Sequence, residues 1–199
     1  MNTIFFVGYR ACGKTTVATA LAKVGGWAAI DTDVMVVETA QKEIAEIVEQ
    51  HGWDYFRDRE HEALLVLSGM RTIFDDHAQE CAKRNEEDTT DPRFAKLIIA
   101  TGGGIILREE NRSILKKLSL EKQALTVFLD LPVDEIVRRL NANPLHGQRP
   151  SLTGTTLTEE VQSVLAERMP LYKDVADVIL DARRPVEDLV QEILGMVGK

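Results

Sequence analysis

Eight residues near the amino terminus form a pattern that binds nucleotide phosphates. The run Gly8-Tyr9-Arg10-Ala11-Cys12-Gly13-Lys14-Thr15 matches G-x-x-x-x-G-K-[ST], with an apolar run before it and a helical pattern after it. In such a loop the backbone N–H groups surround phosphate oxygens, the lysine reaches the β- and γ-phosphates, and the Thr15 hydroxyl is a ligand for Mg²⁺. Both flanks fit, so the pattern predicts ATP or GTP binding rather than a chance glycine-rich turn. The predicted nucleotide-binding residues of the loop are Ala11, Cys12, Gly13, Lys14, Thr15 and Thr16.

Two carboxylates, Asp31 and Asp33, follow the second apolar run of the chain. A single Asp at this point is most simply read as the cap of the next helix. Two of them at the carboxyl end of a strand, facing the phosphate loop, favour a role in the chemistry of a transferred phosphate.

Two arginines and a run of three glycines are candidates for binding a second substrate. Arg57 and Arg168 carry the planar group that binds a carboxylate with two hydrogen bonds, although a surface location is the usual one for arginine. Glu60 follows Arg57 by three positions, so both lie on one helix face and Glu60 can orient Arg57. Gly102-Gly103-Gly104 follows the third apolar run. It is either a flexible turn or a backbone surface that a polar ring can approach closely.

Short apolar runs that alternate with helical patterns must position these groups. Strands are predicted at 4–7, 28–30, 97–101, 126–131 and 178–180. Helices are predicted at 14–24, at 34–67 with a break near Gly52, and at 113–120. Further helices are predicted after Pro132, from a Thr156–Glu159 capping box to about Arg168, and from Pro185 onward. This alternation predicts a five-stranded parallel sheet flanked by helices, with ligands at the carboxyl ends of the strands.

The chain is predicted to be one domain, 1–199, with three special segments. Residues 33–67 form a helical segment that binds the acceptor, and 141–155 form a mobile lid rich in Asn, Pro, Gly and Thr. The charged stretch 68–96 is far longer than an ordinary connection, so it is predicted to be an irregular insertion, part of which can extend the preceding helix.

Composition narrows the class of protein. The net charge of −8 argues against a nucleic-acid surface, which requires a basic stripe. Two cysteines far apart make no disulfide framework and fit a reducing compartment. The short apolar run at the amino terminus has no basic segment before it and is too short for a signal peptide or a spanning helix. A cytoplasmic protein without membrane contact is expected.

The order of these motifs, completed by Arg149-Pro150 and Arg168-Met169-Pro170-Leu171-Tyr172, resembles the shikimate kinase family over nearly the whole chain except 68–96. The resemblance implies a P-loop fold like that of nucleoside monophosphate kinases. It also implies transfer of the γ-phosphoryl of ATP, with Mg²⁺, to the 3-hydroxyl of shikimate, giving shikimate 3-phosphate and ADP for aromatic amino-acid biosynthesis. A monomer is expected, with ATP and shikimate as its small-molecule partners.

The resemblance also implies roles for single residues. Asp31 helps to hold Mg²⁺ through water, and Asp33 contacts the acceptor hydroxyl and takes its proton. Lys14 and Arg149, the latter in the predicted lid, balance the charge of the transferred phosphoryl. Arg139 stacks on adenine, and Pro185 flanks the same ring. The implied shikimate-binding residues are Asp33, Arg57, Gly102, Gly103, Gly104 and Arg168.

The effect of Ala11 in the phosphate loop remains open at this point, and so do two other functions. Ala11 stands where the family usually has glycine, and it is expected to be tolerated if its φ is negative. A gluconate or nucleoside monophosphate kinase would share the loop and lid, but would not be expected to combine Asp33, Arg57, the three glycines and Arg168. A nucleotide-binding regulatory module would bind ATP without turnover stimulated by shikimate.

Overall fold

A parallel sheet forms the centre of the structure. The computed structural model describes residues 2–82, 96–142 and 156–197, and from 70 to 82 it describes the helical backbone alone. Within these residues the sheet has five strands in the order β2-β3-β1-β4-β5, and every pairing is parallel. The predicted fold class is confirmed, and the predicted strand ends differ by no more than two residues. The strands are β1 (Thr3–Val7), β2 (Ala28–Asp31), β3 (Leu97–Ala100), β4 (Ala124–Asp130) and β5 (Val178–Asp181).

Helices follow the strands and cover the sheet. The central strand β1 is buried along its whole length, as expected for a strand with apolar side chains on both faces. The first helix packs beside the last one, and the sixth packs beside the fourth and fifth. The helices are α1 (Lys14–Gly25), α2 (Thr32–Ala40), α3 (Ile44–Ala82), α4 (Glu109–Leu120), α5 (Val133–Ala142), α6 (Leu157–Val175) and α7 (Val186–Val197).

Strand register brings three of the predicted motifs to one edge of the sheet. Ala100 at the end of β3 pairs with Phe6 of β1 on one side and with Asp31 of β2 on the other. The phosphate loop, the two aspartates and the three glycines follow these three strand ends directly. Residues distant in sequence therefore surround one point.

The helical segment after β2 has one break more than predicted, and it extends into the predicted insertion. One helix was predicted over 34–67 with a break near Gly52, and Gly52 is indeed non-helical, with φ 81° and ψ 172°. A second break at residues 41–43 was missed because no glycine or proline marks it; Gln41 itself adopts the left-handed conformation, with φ 54°. Helix α3 then continues to Ala82, so the first half of the predicted insertion 68–96 is helical. Residues 83–95 lie outside the described part of the chain.

Helix α6 begins as predicted and ends later than predicted. The side chain of Thr156 accepts from the N–H of Glu159, and the Glu159 carboxylate accepts from the N–H of Thr156, which confirms the capping box. The predicted end near Arg168 is wrong, because the helix passes through Pro170 and ends at Val175. Proline usually stops a helix. Here the turn beyond it buries Tyr172 and Val175, which stabilises the continuation.

The predicted lid, 141–155, lies almost entirely outside the described residues. Helix α5 ends at Ala142 and the description resumes at Thr156, so the position of Arg149 is not described. Among the helices that are described, none combines the length and the apolar composition that crossing a membrane requires.

Candidate active site

An open cavity of about 470 Å³ lies where the phosphate loop meets the ends of β2 and β3. Its volume falls in the range usual for small-molecule sites, which is about 300–1,000 Å³. Asp33 and Gly103 of the predicted acceptor set line this cavity. Seven of the residues predicted to bind the nucleotide or the metal also line it, which brings these groups to one place. They are Ala11, Gly13, Lys14, Thr15, Thr16, Asp31 and Arg139.

The phosphate loop holds its lysine with its own backbone. Gly13 caps α1 with a φ of 101°, a conformation that favours glycine, and the helix starts at Lys14. The Lys14 ammonium donates to the carbonyl oxygens of Gly8 at 2.8 Å and Tyr9 at 2.9 Å. Cys12 is buried beneath, with its sulfur 3.6 Å from the same ammonium. The N-terminus of α1 and this charge form an anion site.

The backbone of Ala11 does not meet the condition under which alanine was expected to be tolerated. That condition was a negative φ, and the φ of Ala11 is 63°, in the left-handed region. A Cβ is strained in that region, at a cost of roughly 1 kcal/mol or somewhat more. The geometry of the loop imposes this conformation, which glycine would adopt without strain.

Thr15 and Asp31 meet at the edge of the cavity. The Thr15 hydroxyl donates to Oδ2 of Asp31 at 2.6 Å, while Oδ1 accepts the N–H of Asp33 at 2.9 Å. Asp31 therefore caps α2, as the simpler reading of the sequence held, and also faces the phosphate loop with its second oxygen. A hydroxyl and a carboxylate oxygen beside a phosphate site fit Mg²⁺, which binds few protein oxygens and keeps several waters.

Arg139 closes one side of the nucleotide cavity. Its guanidinium donates to the carbonyl oxygens of Ala182 at 2.9 Å and Cys12 at 3.4 Å, and its Nε donates to Glu135. Hydrogen bonds from Arg138 and Arg139 lower the pKa of Glu135 to about 2, so this carboxylate stays ionised at neutral pH. Pro185 lies at the start of α7 and is not among the residues that line this cavity.

A second, much smaller cavity of about 30 Å³ adjoins the first. It has room for about one or two water molecules. Arg57, Arg168, Gly103 and Gly104 line it, as predicted for the acceptor site, together with Glu60 and three aromatic side chains. The aromatic residues are Tyr9, Trp53 and Phe56. Trp53 both packs against Phe56 and lines this cavity.

Each glycine of the 102–104 run faces a different polar group. A methyl group at Gly102 would collide with the carboxylates of Asp33 and Glu60, and one at Gly104 would collide with the guanidinium of Arg57. The carbonyl oxygen of Gly103 accepts from Arg168 at 3.3 Å. The run is therefore a surface against which the predicted acceptor groups pack, rather than a flexible turn.

Arg57 is held in place by its neighbours. Its guanidinium pairs with Glu60, which is buried, and lies 5.3 Å from the ring centroid of Trp53 and 5.2 Å from that of Phe56. Glu60 thus orients Arg57, as the three-residue spacing predicted.

Several supporting residues were missed by the sequence reading. The buried hydroxyl of Thr32 accepts from the N–H of Gly102 at 2.8 Å, and the Tyr172 hydroxyl donates to the Gly103 carbonyl at 2.6 Å. Burial raises the pKa of Tyr172, which therefore stays neutral and remains a donor. Tyr172 follows Arg168 by four positions, so helical spacing could have indicated it. Nothing in the sequence could have indicated the ion pair between Arg10 and Glu160, which are 150 positions apart.

Comparison with known proteins agrees with this geometry. The family model described as shikimate kinase matches residues 10–74 and 67–197. The chain is 40% identical to the shikimate kinase of Nitratidesulfovibrio vulgaris over 195 residues, covering 98% of this chain and 95% of that protein. This chain belongs to the shikimate kinase family. The family is one of ATP-dependent kinases, so the predicted enzyme class is confirmed.

Two further relatives extend the comparison. Shikimate kinase 2 of Yersinia enterocolitica is 38% identical over 197 residues, covering 99% of this chain and 96% of that protein. The solved structure of the shikimate kinase from Acinetobacter baumannii in complex with shikimate superposes with a TM-score of 0.77 at 27% identity, covering 99% of this chain and 93% of that one. Membership of the shikimate kinase family therefore rests on both sequence and fold.

Proposed function

We propose that this protein transfers the γ-phosphoryl group of ATP to the 3-hydroxyl of shikimate. The observation that carries the proposal is the junction of two cavities, one lined by a phosphate loop and the other by two arginines and a glycine surface. A kinase needs such a junction, because the phosphoryl donor and the acceptor must meet in line.

The nucleotide occupies the larger cavity in this proposal. Backbone N–H groups from Ala11 to Thr16 and the Lys14 ammonium bind its phosphates. Arg139 lies against the adenine, and Pro185 near the same ring. Arg149, from the part of the chain that is not described, adds positive charge to the transferred group.

In this proposal Asp31 and Thr15 would hold Mg²⁺, Asp31 through a water molecule and Thr15 through its hydroxyl. An ion held there would neutralise phosphate charge. The paired oxygens of these two side chains support the assignment, since each is of the type that Mg²⁺ prefers.

Shikimate occupies the smaller cavity after that cavity has widened. Its carboxylate binds Arg57 and Arg168, whose guanidinium groups match a carboxylate with paired hydrogen bonds. Gly102, Gly103 and Gly104 let the ring approach the backbone closely. Burial of the acceptor against Trp53 and Phe56 excludes water, which would otherwise compete for the phosphoryl group.

The proposed step accounts for each bond formed and broken and for the proton that is released. The 3-hydroxyl oxygen forms a bond to the γ-phosphorus while the bond from that phosphorus to the β–γ bridging oxygen breaks, and ADP leaves. In this proposal the hydroxyl proton passes to the Asp33 carboxylate, which lines the larger cavity and lies beside Gly102. Positioning and charge stabilisation supply most of the rate, with proton transfer a smaller part.

The partners and location follow from the reaction. ATP and shikimate are the small-molecule partners, and neither nucleic acid nor a membrane takes part. We place the enzyme in the cytoplasm, where ATP is made available, and as a monomer, because all proposed ligand-binding residues come from one chain.

Product analysis tests the proposal. The protein is incubated with MgATP and shikimate, and the product is examined by mass spectrometry and by ³¹P and ¹H NMR. A phosphate ester at the 3-hydroxyl is expected. Phosphorylation at another hydroxyl, or only inorganic phosphate, would contradict the assigned acceptor geometry.

A further inference from the structure

Arg10 lies at the boundary between the two cavities. Of the described residues, Arg10 and Gly103 are the ones that line both the nucleotide cavity and the acceptor cavity. Glycine has no side chain, so Arg10 supplies the side chain at this boundary within the described part of the chain. The two residues are also close in space, because a Cβ on Gly103 would lie 3.4 Å from the backbone nitrogen of Arg10.

A buried carboxylate holds the Arg10 side chain. Nη2 of Arg10 pairs with Oε1 of Glu160, and the two side chains are 13% and 2% exposed. Glu160 lies in the first turns of α6, which follow directly after the predicted lid. The pair therefore joins the phosphate loop to the helix that also carries Arg168.

An ion pair of this kind is costly to bury and is weak support for a purely stabilising role. Apolar residues of similar size often stabilise such a position equally well. The pair lies beside a site where a phosphoryl group must pass, so a role in binding that group accounts for the cost.

We propose that Arg10 binds the transferred phosphoryl group and that Glu160 is the positioning residue that aims it. This inference rests on the proposed function, because the phosphoryl group crosses this boundary only if an acceptor occupies the smaller cavity. Negative charge spreads over the three equatorial oxygens during transfer, and a guanidinium can bind two of them at once.

The arginine has donors left for this task. Oε1 of Glu160 is bonded to one terminal nitrogen. The Nε of Arg10 is buried and has no hydrogen-bond acceptor among the residues that the structure describes. The proposal gives Arg10 a hydrogen-bonding role alone and adds no proton transfer to the reaction.

Four variants separate a ligand-binding role from a structural one. They are Arg10→Met, Glu160→Gln, the double variant with both changes, and Lys116→Met as the control. Lys116 pairs with Asp174 on an exposed surface of α4. Each protein is measured for thermal unfolding, for kcat and KM with shikimate, and for ADP affinity with and without aluminium fluoride, which stands in for the transferred phosphoryl.

Arg10→Met is expected to lower kcat by about 100-fold, the effect of removing one donor to a developing charge, while ADP affinity without fluoride is unchanged. Its gain in ADP affinity on adding aluminium fluoride is also expected to shrink. The double variant should unfold at a higher temperature than either single variant, because no buried charge is left alone. Its kcat should remain as low as that of Arg10→Met.

Recovery of kcat in the double variant would overturn the proposal and leave the pair with a structural role. A normal kcat in Arg10→Met would overturn it as well. If the unmodified protein shows no turnover with shikimate, the proposed function fails, and the fluoride measurement then decides for Arg10 alone. An unchanged fluoride effect in Arg10→Met would reject the contact with the phosphoryl group.

Discussion

The two sides of the site differ in how far they are formed before a ligand binds. The nucleotide cavity is open at about 470 Å³, and its loop already holds Lys14 against two carbonyl oxygens. The acceptor cavity has about 30 Å³, and the Arg57 guanidinium packs against Gly104 and pairs with Glu60. The phosphate loop of the nucleotide side is one local segment, whereas the acceptor cavity is lined by α3, α6, the phosphate loop and the loop after β3. The acceptor cavity must widen before a ring can enter.

This difference has a physical origin. A loop between a strand and a helix is fixed by its two neighbours and its own hydrogen bonds, so it persists without ligand. Arg57 and Arg168 stand on α3 and α6, where Arg57 pairs with Glu60 and Arg168 donates to the carbonyl oxygen of Gly103. Ligand binding must therefore exchange one set of partners for another on the acceptor side.

The largest expected effect is on the nucleotide side. Lys14→Met should reduce kcat by on the order of 1,000-fold or more, because the ammonium that balances phosphate charge is removed. Lys23→Met is the control, since Lys23 is exposed in the last turn of the same helix. Steady-state ADP formation measures both variants. A Lys14→Met protein with substantial activity would contradict the role of the phosphate loop.

The second-largest expected effect is on the binding of shikimate alone. Arg168→Met should raise the KM for shikimate by about 10- to 100-fold through the loss of charge-assisted hydrogen bonds, with little change in ATP affinity. Arg59→Met is the control, because Arg59 pairs with Glu62 and lines neither cavity. Equal losses for both substrates would show that the two sides are not separable as described here.

Two glycine-to-alanine variants, one at the acceptor side and one as a control, test how tightly the acceptor side is packed. Gly104→Ala should weaken shikimate binding about 10-fold, because a methyl group there collides with Arg57, whereas Gly69→Ala meets nothing within 4 Å. Titration calorimetry with shikimate and with ADP measures both variants. Loss of ADP binding in Gly104→Ala, or equal behaviour of the two variants, would reject the packing role of this glycine.

A stabilising change is expected in the phosphate loop. Ala11→Gly should raise the free energy of unfolding by about 0.5–1 kcal/mol, since glycine relieves the left-handed strain at φ 63°. Urea unfolding of the variant and of the unmodified chain measures the difference. Destabilisation, which is the usual result when alanine is replaced by glycine, would show that the loop in solution does not hold this conformation.

The smallest effect concerns the rim of the nucleotide cavity. Glu135→Gln should weaken ADP binding about threefold, because Arg139 loses the carboxylate that orients it. The pKa of Glu135 is lowered to about 2, so its charge and the stability it provides are complete above pH 4.5 and are lost only as the pH falls towards 2. The difference between the two proteins in ADP affinity should therefore be constant from pH 6 to 9. A difference that changes within this range would assign the effect to another group.

The difference between the nucleotide side and the acceptor side also governs what the sequence could predict. The phosphate loop is contiguous, and its pattern located the turn and the helix start at Lys14. The sheet followed from the alternation of apolar runs with helical patterns. The acceptor residues came from family resemblance instead, because Arg57 and Arg168 have no local pattern that brings them together.

The features that the sequence did not predict have physical causes as well. Gln41 adopts the left-handed conformation and ends a helix, although glutamine is not a residue type that predicts a helix end. Pro170 lies inside a helix that is stabilised by the burial of Tyr172. The φ of Ala11 is imposed by the loop and not by alanine. The Arg10–Glu160 pair joins residues that only the folded chain brings near each other.

The central claim is that the two adjoining cavities serve one transfer from ATP to shikimate. The most direct measurement is the rate of ADP formation from MgATP alone and with shikimate, gluconate or AMP as acceptor. We expect strong stimulation by shikimate and none by the other two. ATP binding without stimulation by any acceptor would contradict the claim and indicate a nucleotide-binding module without kinase activity.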